Sequence, residues 1–209
     1  MKRIAESTVR RLSLYLSFLE EIEGSGQATI SSDELARLGG TTSAQVRKDL
    51  SFFGSFGKRG LGYSVSELRE SIRAILGLGR KWRVCIIGAG MIGTALARYE
   101  AFAARGFYVK AIYDSDPAKF GMPVDSLSVR DIARIEQDAA KEGFDIAVLA
   151  IPPEYAQAVA DRVTKAGIKA ILNFAPIQLV VPGDVTVRTV NMALELEGLS
   201  FALTNRGGD

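Results

Sequence analysis

The chain has 209 residues, 47% hydrophobic and 24% charged, enough apolar material for one large or two small packed units. It has no histidine and a single cysteine, Cys85. This removes the commonest general acid–base and metal ligand, leaves no route to a zinc cluster or an internal disulfide, and suits a reducing cytoplasm. Charges recur through the first thirty residues and no apolar run is long enough to span a bilayer, so neither a signal peptide nor a membrane partner is expected. The net charge of +2 is unevenly spread: residues 1–83 carry 14 Lys/Arg against 9 Asp/Glu, and residues 84–209 carry 12 against 15. A basic front half suits a polyanionic partner.

In chain order, Leu12, Tyr15, Leu16, Leu19 and Ile22 recur at helical spacing, and Gly24 ends the pattern. Ser31 with Glu34 is a capping box opening a short second helix, stopped at Gly39-Gly40. Thr42 with Gln45 reads as a second capping box. The third helix it opens runs to about Phe53, with Val46, Leu50 and Phe53 inward and Gly54 at its end. Two short helices joined by a tight glycine turn form a helix-turn-helix pattern. The outward face of the third helix offers Ser43, Gln45, Arg47, Lys48 and Ser51, a basic and polar set suited to the major groove. The glycines and aromatics from Phe56 to Tyr63 predict a β-hairpin with Lys58 and Arg59 at its tip, within reach of the minor groove. Ser64 and Glu67 then cap a fourth helix, and Gly77 and Gly79 mark a linker.

After Arg83 the pattern changes to alternating apolar strands and helices. Strands are expected at Val84–Ile87, Phe107–Tyr113, Phe144–Ile151 and Lys169–Phe174. Helices are expected up to about Arg105, near Ser128–Glu142 and near Glu154–Ala166, with a last one from Asn191 to Leu203. Such alternation predicts an α/β fold with a parallel sheet. The boundaries read as a winged-helix unit over 1–80, a Rossmann-type unit over 81–190, and a C-terminal helix and tail over 191–209.

Gly88-Ala89-Gly90-Met91-Ile92-Gly93 directly follows an apolar strand and opens a helix, the context in which G-x-G-x-x-G binds a dinucleotide. Gly88 permits the turn, Gly90 admits the pyrophosphate, and Gly93 lets the helix pack on the sheet. Asp114, at the end of the next strand, is placed to accept hydrogen bonds from the ribose hydroxyls. Its charge, with no arginine at Ser115 or Asp116, favours NADH/NAD+ over the 2′-phosphorylated forms. Ile151, Pro152, Asn173 and Phe174 lie at strand ends where ligands bind. Ile151, Pro152, Phe174 and Ile177 predict an apolar nicotinamide site that prefers the neutral reduced ring.

The chain resembles the Rex family of redox-sensing transcriptional repressors over nearly its whole length. The resemblance rests on Val46 to Gly54, Phe56 to Tyr63, Gly88 to Gly93, Asp114 to Pro117 and Ile168 to Pro176. It implies a homodimer with an exchanged C-terminal helix that binds palindromic double-stranded operator DNA and is released by NADH, an effector that is not consumed. It also implies DNA contacts at Arg47, Lys48 and Arg59, and a role for Tyr99 in coupling cofactor state to the dimer interface. At the start of the exchanged helix this chain has Asn191 and Met192 where the family places an Asp-Phe pair. Ser17 stands where some members carry an arginine. No catalytic residue is required. The residues themselves leave two alternatives: a small NAD-dependent oxidoreductase, and a CoA- or nucleotide-binding module.

Overall fold

The structure, a computed structural model, describes residues 4–57 and 61–205. The chain divides into two compact units, residues 1–80 and 81–209.

The first unit is built on helix α1 (Glu6–Gly24), whose buried stripe is Leu12, Tyr15, Leu16 and Leu19. A two-residue strand β1 (Thr29–Ile30) leads into α2 (Ser32–Leu38) and then α3 (Ser43–Ser51). At α2 the capping box is complete: Glu34 N–H donates to Ser31 Oγ, and Ser31 N–H donates to Glu34 Oε2 at 2.8 Å. At α3 it is half formed. Gln45 N–H donates to Thr42 Oγ1 at 3.2 Å, but the Gln45 carboxamide points the other way and donates to Asp49 at 2.8 Å. An ionised acceptor draws the amide more strongly than a backbone N–H could.

The expected hairpin within residues 56–63 falls only partly within the described residues, and its last residue joins another pairing. Strand β2 (Tyr63–Ser64) pairs antiparallel with β1, so that Ile30 faces Tyr63. Gly57 has φ +76°, and a Cβ there would collide with the Gly62 carbonyl. Lys58 and Arg59, the expected tip, lie outside the described residues. Ser64 caps α4 (Val65–Ile75), which buries Val65, Leu68 and Ile72 against the same core.

In the second unit the elements are β3 (Trp82–Ile87), α5 (Met91–Ala97), α6 (Ala101–Ala104) and β4 (Phe107–Asp114). A short hairpin of β5 (Pro123–Val124) and β6 (Leu127–Asp131) follows, then α7 (Ile135–Glu142) and β7 (Ile146–Leu149). The chain continues through α8 (Pro153–Lys165), β8 (Ala170–Asn173), β9 (Thr186–Thr189) and α9 (Met192–Thr204). The sheet order is β5-β6-β4-β3-β7-β8-β9, parallel throughout except for the β5–β6 hairpin. Leaving β5 aside, this is the doubly wound Rossmann order, with its topological switch between β3 and β7.

Two expectations are corrected here. Residues 128–131 belong to strand β6, because Leu127 and Val129 alternate with polar neighbours and residues 129–131 pair along β4. The single helix expected up to Arg105 is split into α5 and α6. One sheet face packs Tyr113, Ile135, Leu149, Ala160 and Val163 under α7 and α8, while the other packs Val84, Ile86, Ile112 and Val148. No residue of α9 is buried, and Met192, Leu194, Leu196, Leu199, Phe201 and Leu203 are all exposed.

One carboxylate fixes α3 in the first unit. Asp49 is fully buried and accepts hydrogen bonds from Arg11 Nε at 2.6 Å and Nη2 at 2.8 Å, Tyr15 Oη at 3.1 Å, Thr8 Oγ1 at 3.3 Å and Gln45 Nε2 at 2.8 Å. Burial alone would raise its pKa, but the donors from Arg11, Gln45 and Tyr15 outweigh it and hold the carboxyl below the ordinary range. Burial and the Asp49 charge push the Tyr15 phenol up to about 12.

Asp49→Asn should therefore cost roughly 3 kcal/mol or more of unfolding free energy at neutral pH, since it leaves Arg11 without its counter-charge. A carboxyl with a depressed folded pKa gives stability that is present above its unfolded pKa and is lost as pH falls through the folded value. The variant should thus lose less stability than the parent between roughly pH 5 and pH 2. Denaturant titrations of both proteins across that range check it.

Candidate dinucleotide site and nucleic-acid interface

Three parallel strands end at one edge of the sheet and carry the site there. Gly88 follows β3, Asp114 ends β4, and Ala150 and Ile151 follow β7. Gly88 N–H donates to the Tyr113 carbonyl at 2.7 Å and Ala150 N–H to the Ile87 carbonyl at 2.8 Å, so the turn is fixed on both sides. The glycines have distinct reasons. Gly88 has φ +103°, and a Cβ would collide with the Ala150 carbonyl. At Gly93 a Cβ would overlap the Gly88 carbonyl. At Gly90 neither holds: φ is −87°, and a Cβ would meet nothing within 4 Å. The fold has no need of glycine at 90, whereas a phosphate approaching the backbone does. Gly90 is the N-cap of α5 without a side-chain cap, which leaves the first N–H groups facing outward, among them those of Met91 and Ile92. Met91 and Ile92 have exposed side chains.

Asp114 is nearly buried and ties the glycine loop to its own strand. Its Oδ2 accepts from Ala89 N–H at 2.8 Å and from Lys119 Nζ at 2.9 Å, and its Oδ1 accepts from Asp116 N–H at 2.9 Å. Burial pushes this carboxyl up, but Lys119, Asp116 and Ala89 together hold it below the ordinary range, so it is ionised at neutral pH. A cavity of about 390 Å³ opens over it, lined among others by Gly90, Lys119, Ile151, Pro152 and Tyr155. Its shape, its ionised acceptor and the open approach at Gly90 suit a dinucleotide.

Lys119 and Tyr155 were not anticipated from the sequence. Lys119 sits five residues past the acid on a 3-10 turn (Pro117–Lys119), and Tyr155 stands in the first turn of α8. The spacing from Asp114 through Pro117 to Lys119 was the available signal. Ser115 and Asp116 do lack an arginine, but a lysine reaches the acid from just beyond them.

Asn173 and Phe174 fall elsewhere. Asn173 is fully buried. Its amide donates to the carbonyls of Ala175 at 2.9 Å and Ile177 at 3.1 Å, and its Oδ1 accepts from Ala175 N–H. Its side chain is spent on its own loop. Phe174 packs with Ala89 and Leu172 on one face of the sheet, and Ile177 packs into the core of the other. Neither lines the cavity that holds Ile151 and Pro152. Tyr99 is exposed, stacks edge-to-face on Phe102 at 5.1 Å, and lines a separate apolar groove of about 640 Å³. Asn191 caps α9 by accepting from Ala193 N–H at 3.0 Å, and Met192 beside it is exposed. Ser17 donates back to the Ser13 carbonyl at 3.2 Å.

In the first unit, Arg47, Lys48 and Ser51 share the exposed face of α3, opposite Val46, Asp49 and Leu50. Arg47 Nη1 donates to Ser32 Oγ at 2.8 Å and Ser51 Oγ to the Lys48 carbonyl at 2.8 Å. Ser43 and Gln45 are half-buried, and Gln45 gives an amide hydrogen to Asp49. Among the described residues no helix is long and apolar enough to cross a membrane, and no group of three His, Cys, Asp or Glu could hold a metal ion.

The glycines give a paired prediction. Gly90→Ala should leave the unfolding midpoint within about 0.5 kcal/mol of the parent's stability, while weakening dinucleotide binding by about tenfold or more. Gly93→Ala should instead lower stability by about 1–3 kcal/mol. Thermal unfolding with and without NADH separates the two effects.

A family profile described as "CoA binding domain" matches residues 79–177, and one described as "Putative DNA-binding protein N-terminus" matches residues 3–51. The redox-sensing transcriptional repressor Rex of Desulfitobacterium hafniense is 44% identical, over 98% of this chain and 97% of its own. The crystal structure of RSP in complex with NAD+ and operator DNA superposes with a TM-score of 0.92 at 41% identity, covering 97% of this chain and 94% of that one. The structure of RSP with NADH gives a TM-score of 0.89 at 39% identity, covering 97% and 95%. The relatives are named as repressors, not enzymes, and their likeness runs through both units of the fold. The chain belongs to the Rex family of redox-sensing transcriptional repressors.

Proposed function

We propose that this protein is a homodimeric repressor of the cytoplasm. It binds palindromic operator DNA through the Arg47–Lys48 face of α3 and releases it when NADH occupies the cavity over Asp114. The observation that carries this reading is the open approach at Gly90 beside the ionised Asp114, in a chain whose other unit presents a buttressed basic recognition helix. RSP, similar in both units, has been crystallised with NAD+ and operator DNA and with NADH. Gly88 to Gly93 would hold the pyrophosphate, Asp114 the ribose, and the cofactor would act by binding alone. A homodimer with an exchanged C-terminal helix is supported by two surfaces of the second unit: the wholly exposed apolar helix α9, and the groove beside Tyr99. The CoA-binding profile covers only the second unit; the full-length likeness favours the nicotinamide dinucleotide.

Release requires differential binding. NADH can weaken the DNA complex only if the NADH-bound dimer holds its two α3 helices at a spacing the operator does not match. NAD+ carries a charged ring that an apolar pocket stabilises poorly. NADH should thus loosen the complex more than NAD+, by about 5–150-fold, and DNA should weaken NADH binding by the same factor. The test is to titrate NADH into free protein and into its complex with a palindromic duplex selected from a random pool, at fixed salt. Equal NADH affinities overturn the switch. In the same assay Lys48→Ala should reduce the salt slope of log K by about one, as the loss of one phosphate contact requires.

A further inference from the structure

Two neighbouring serines at the start of α2 have different partners. Ser31 Oγ accepts from Glu34 N–H and so caps the helix. Ser32, the first residue of α2, accepts instead from Arg47 Nη1 of α3 at 2.8 Å, fifteen residues along the chain. With Ser31 and Glu34 completing the capping box, α2 has no need of this second hydroxyl. Arg47 is the partner it has among the described residues.

An exposed arginine on a helix samples many rotamers in water and loses that freedom when it docks. A guanidinium carries five donor hydrogens, and Ser32 takes one of them, on Nη1. The Nε and Nη2 hydrogens of Arg47 have no partner among the described residues, and the side chain is exposed. That open edge is the one with which Arg11 grips both oxygens of Asp49. The major-groove edge of guanine offers a matching pair of acceptors, O6 and N7. The neutrality of the hydroxyl matters as much as its place. A carboxylate at position 32 would offset the charge of Arg47 and compete with the base for its hydrogens. The acids next along α2 do neither: Glu34 is engaged by Ser31 N–H, and Asp33 makes no ion pair with Arg47 among the described residues. The Arg47 charge is also felt at the Tyr63 phenol, where it opposes the upward push of burial.

We propose that Ser32 is a positioning residue for base recognition: by holding Nη1 from the neighbouring helix, it presets the Nε–Nη2 edge of Arg47 toward a guanine. This rests on the reading of α3 as the operator-binding helix. It adds that part of the sequence preference resides on α2, in a residue that reads no base itself.

The test uses the full chain and a palindromic duplex selected from a random pool, with each half-site base pair replaced in turn. Arg47→Ala identifies the position read by Arg47, as the one where discrimination between bases disappears. At that position Ser32→Ala should lose about three- to tenfold in discrimination, the effect of one hydrogen bond, and at other positions it should match the parent. Ser32→Thr, which keeps the hydroxyl, should restore the parent's discrimination. In the Arg47→Ala background, Ser32→Ala should have no further effect. Circular dichroism confirms that each variant is folded. Unchanged discrimination in Ser32→Ala overturns the proposal. So does an equal loss on every sequence, which would place the hydroxyl on a backbone phosphate, or an Arg47→Ala variant that keeps full discrimination at every position. A parent that binds the selected duplex no more tightly than random DNA overturns the reading of α3 itself.

Discussion

The crowding of backbone at the end of β3 is the constraint on which the second unit depends. The chain must turn at Gly88 beside the Ala150 carbonyl and then start α5 close enough that Gly93 abuts the Gly88 carbonyl. Two glycines are needed to relieve steric overlap within the protein itself. Because they let β3, β7 and α5 converge, the strand ends bring Asp114, Ile151 and Pro152 around one cavity. The third glycine, at 90, relieves nothing in the protein. A motif usually written as one pattern thus separates into two residues the fold demands and one it does not, which the proposed function assigns to the ligand. Stability and affinity become separable properties of a six-residue loop.

The first unit solves a similar positioning problem with charge. α3 is a nine-residue helix, too short to be stable alone. Its apolar face is narrow, chiefly Val46 and Leu50, and would fix the helix axis only loosely. Asp49, between them, recruits donors from α1 and from its own helix, and a bidentate arginine fork has a defined plane. The opposite face, with Arg47 and Lys48, is therefore presented in a fixed orientation. A buried ion pair is weak evidence of net stability, and its value here is directional.

What could be read in the sequence was mostly local. Caps at Ser31, Thr42 and Ser64 involve residues three apart, and each is found. The glycine motif and Asp114 were legible because strand, turn and helix follow one another without interruption. What was missed depends on distant partners. Gln45 looked like the second half of a capping box, but Arg11 and Tyr15, more than thirty residues away, keep Asp49 an ionised acceptor that takes its amide. Strand β9 is four residues of Thr, Val and Arg with no buried position; pairing to β8 makes it a strand. Lys119 becomes a site residue only once a 3-10 turn brings it back to Asp114. Asn173, which pattern placed at the ligand edge, serves its own loop because a buried carboxamide must satisfy its hydrogens locally.

The start of α9 shows how a family position can change chemistry while keeping its structural task. An acid at an N-cap does two things: it accepts a backbone N–H and places a negative charge near whatever lies beside it. Asn191 keeps the first, through Ala193 N–H at 3.0 Å, and removes the second. Met192 follows with an exposed, flexible thioether in place of a rigid ring. In the proposed dimer, Asn191 and Met192 would bring no counter-charge to an oxidised, cationic ring. Discrimination between the redox states must then come from the cost of desolvating that cation among apolar groups. Such discrimination depends on how completely water is excluded, and so on how closely a second copy's α9 is docked. Under the proposed function, selectivity for the reduced cofactor and assembly of the dimer become one physical problem.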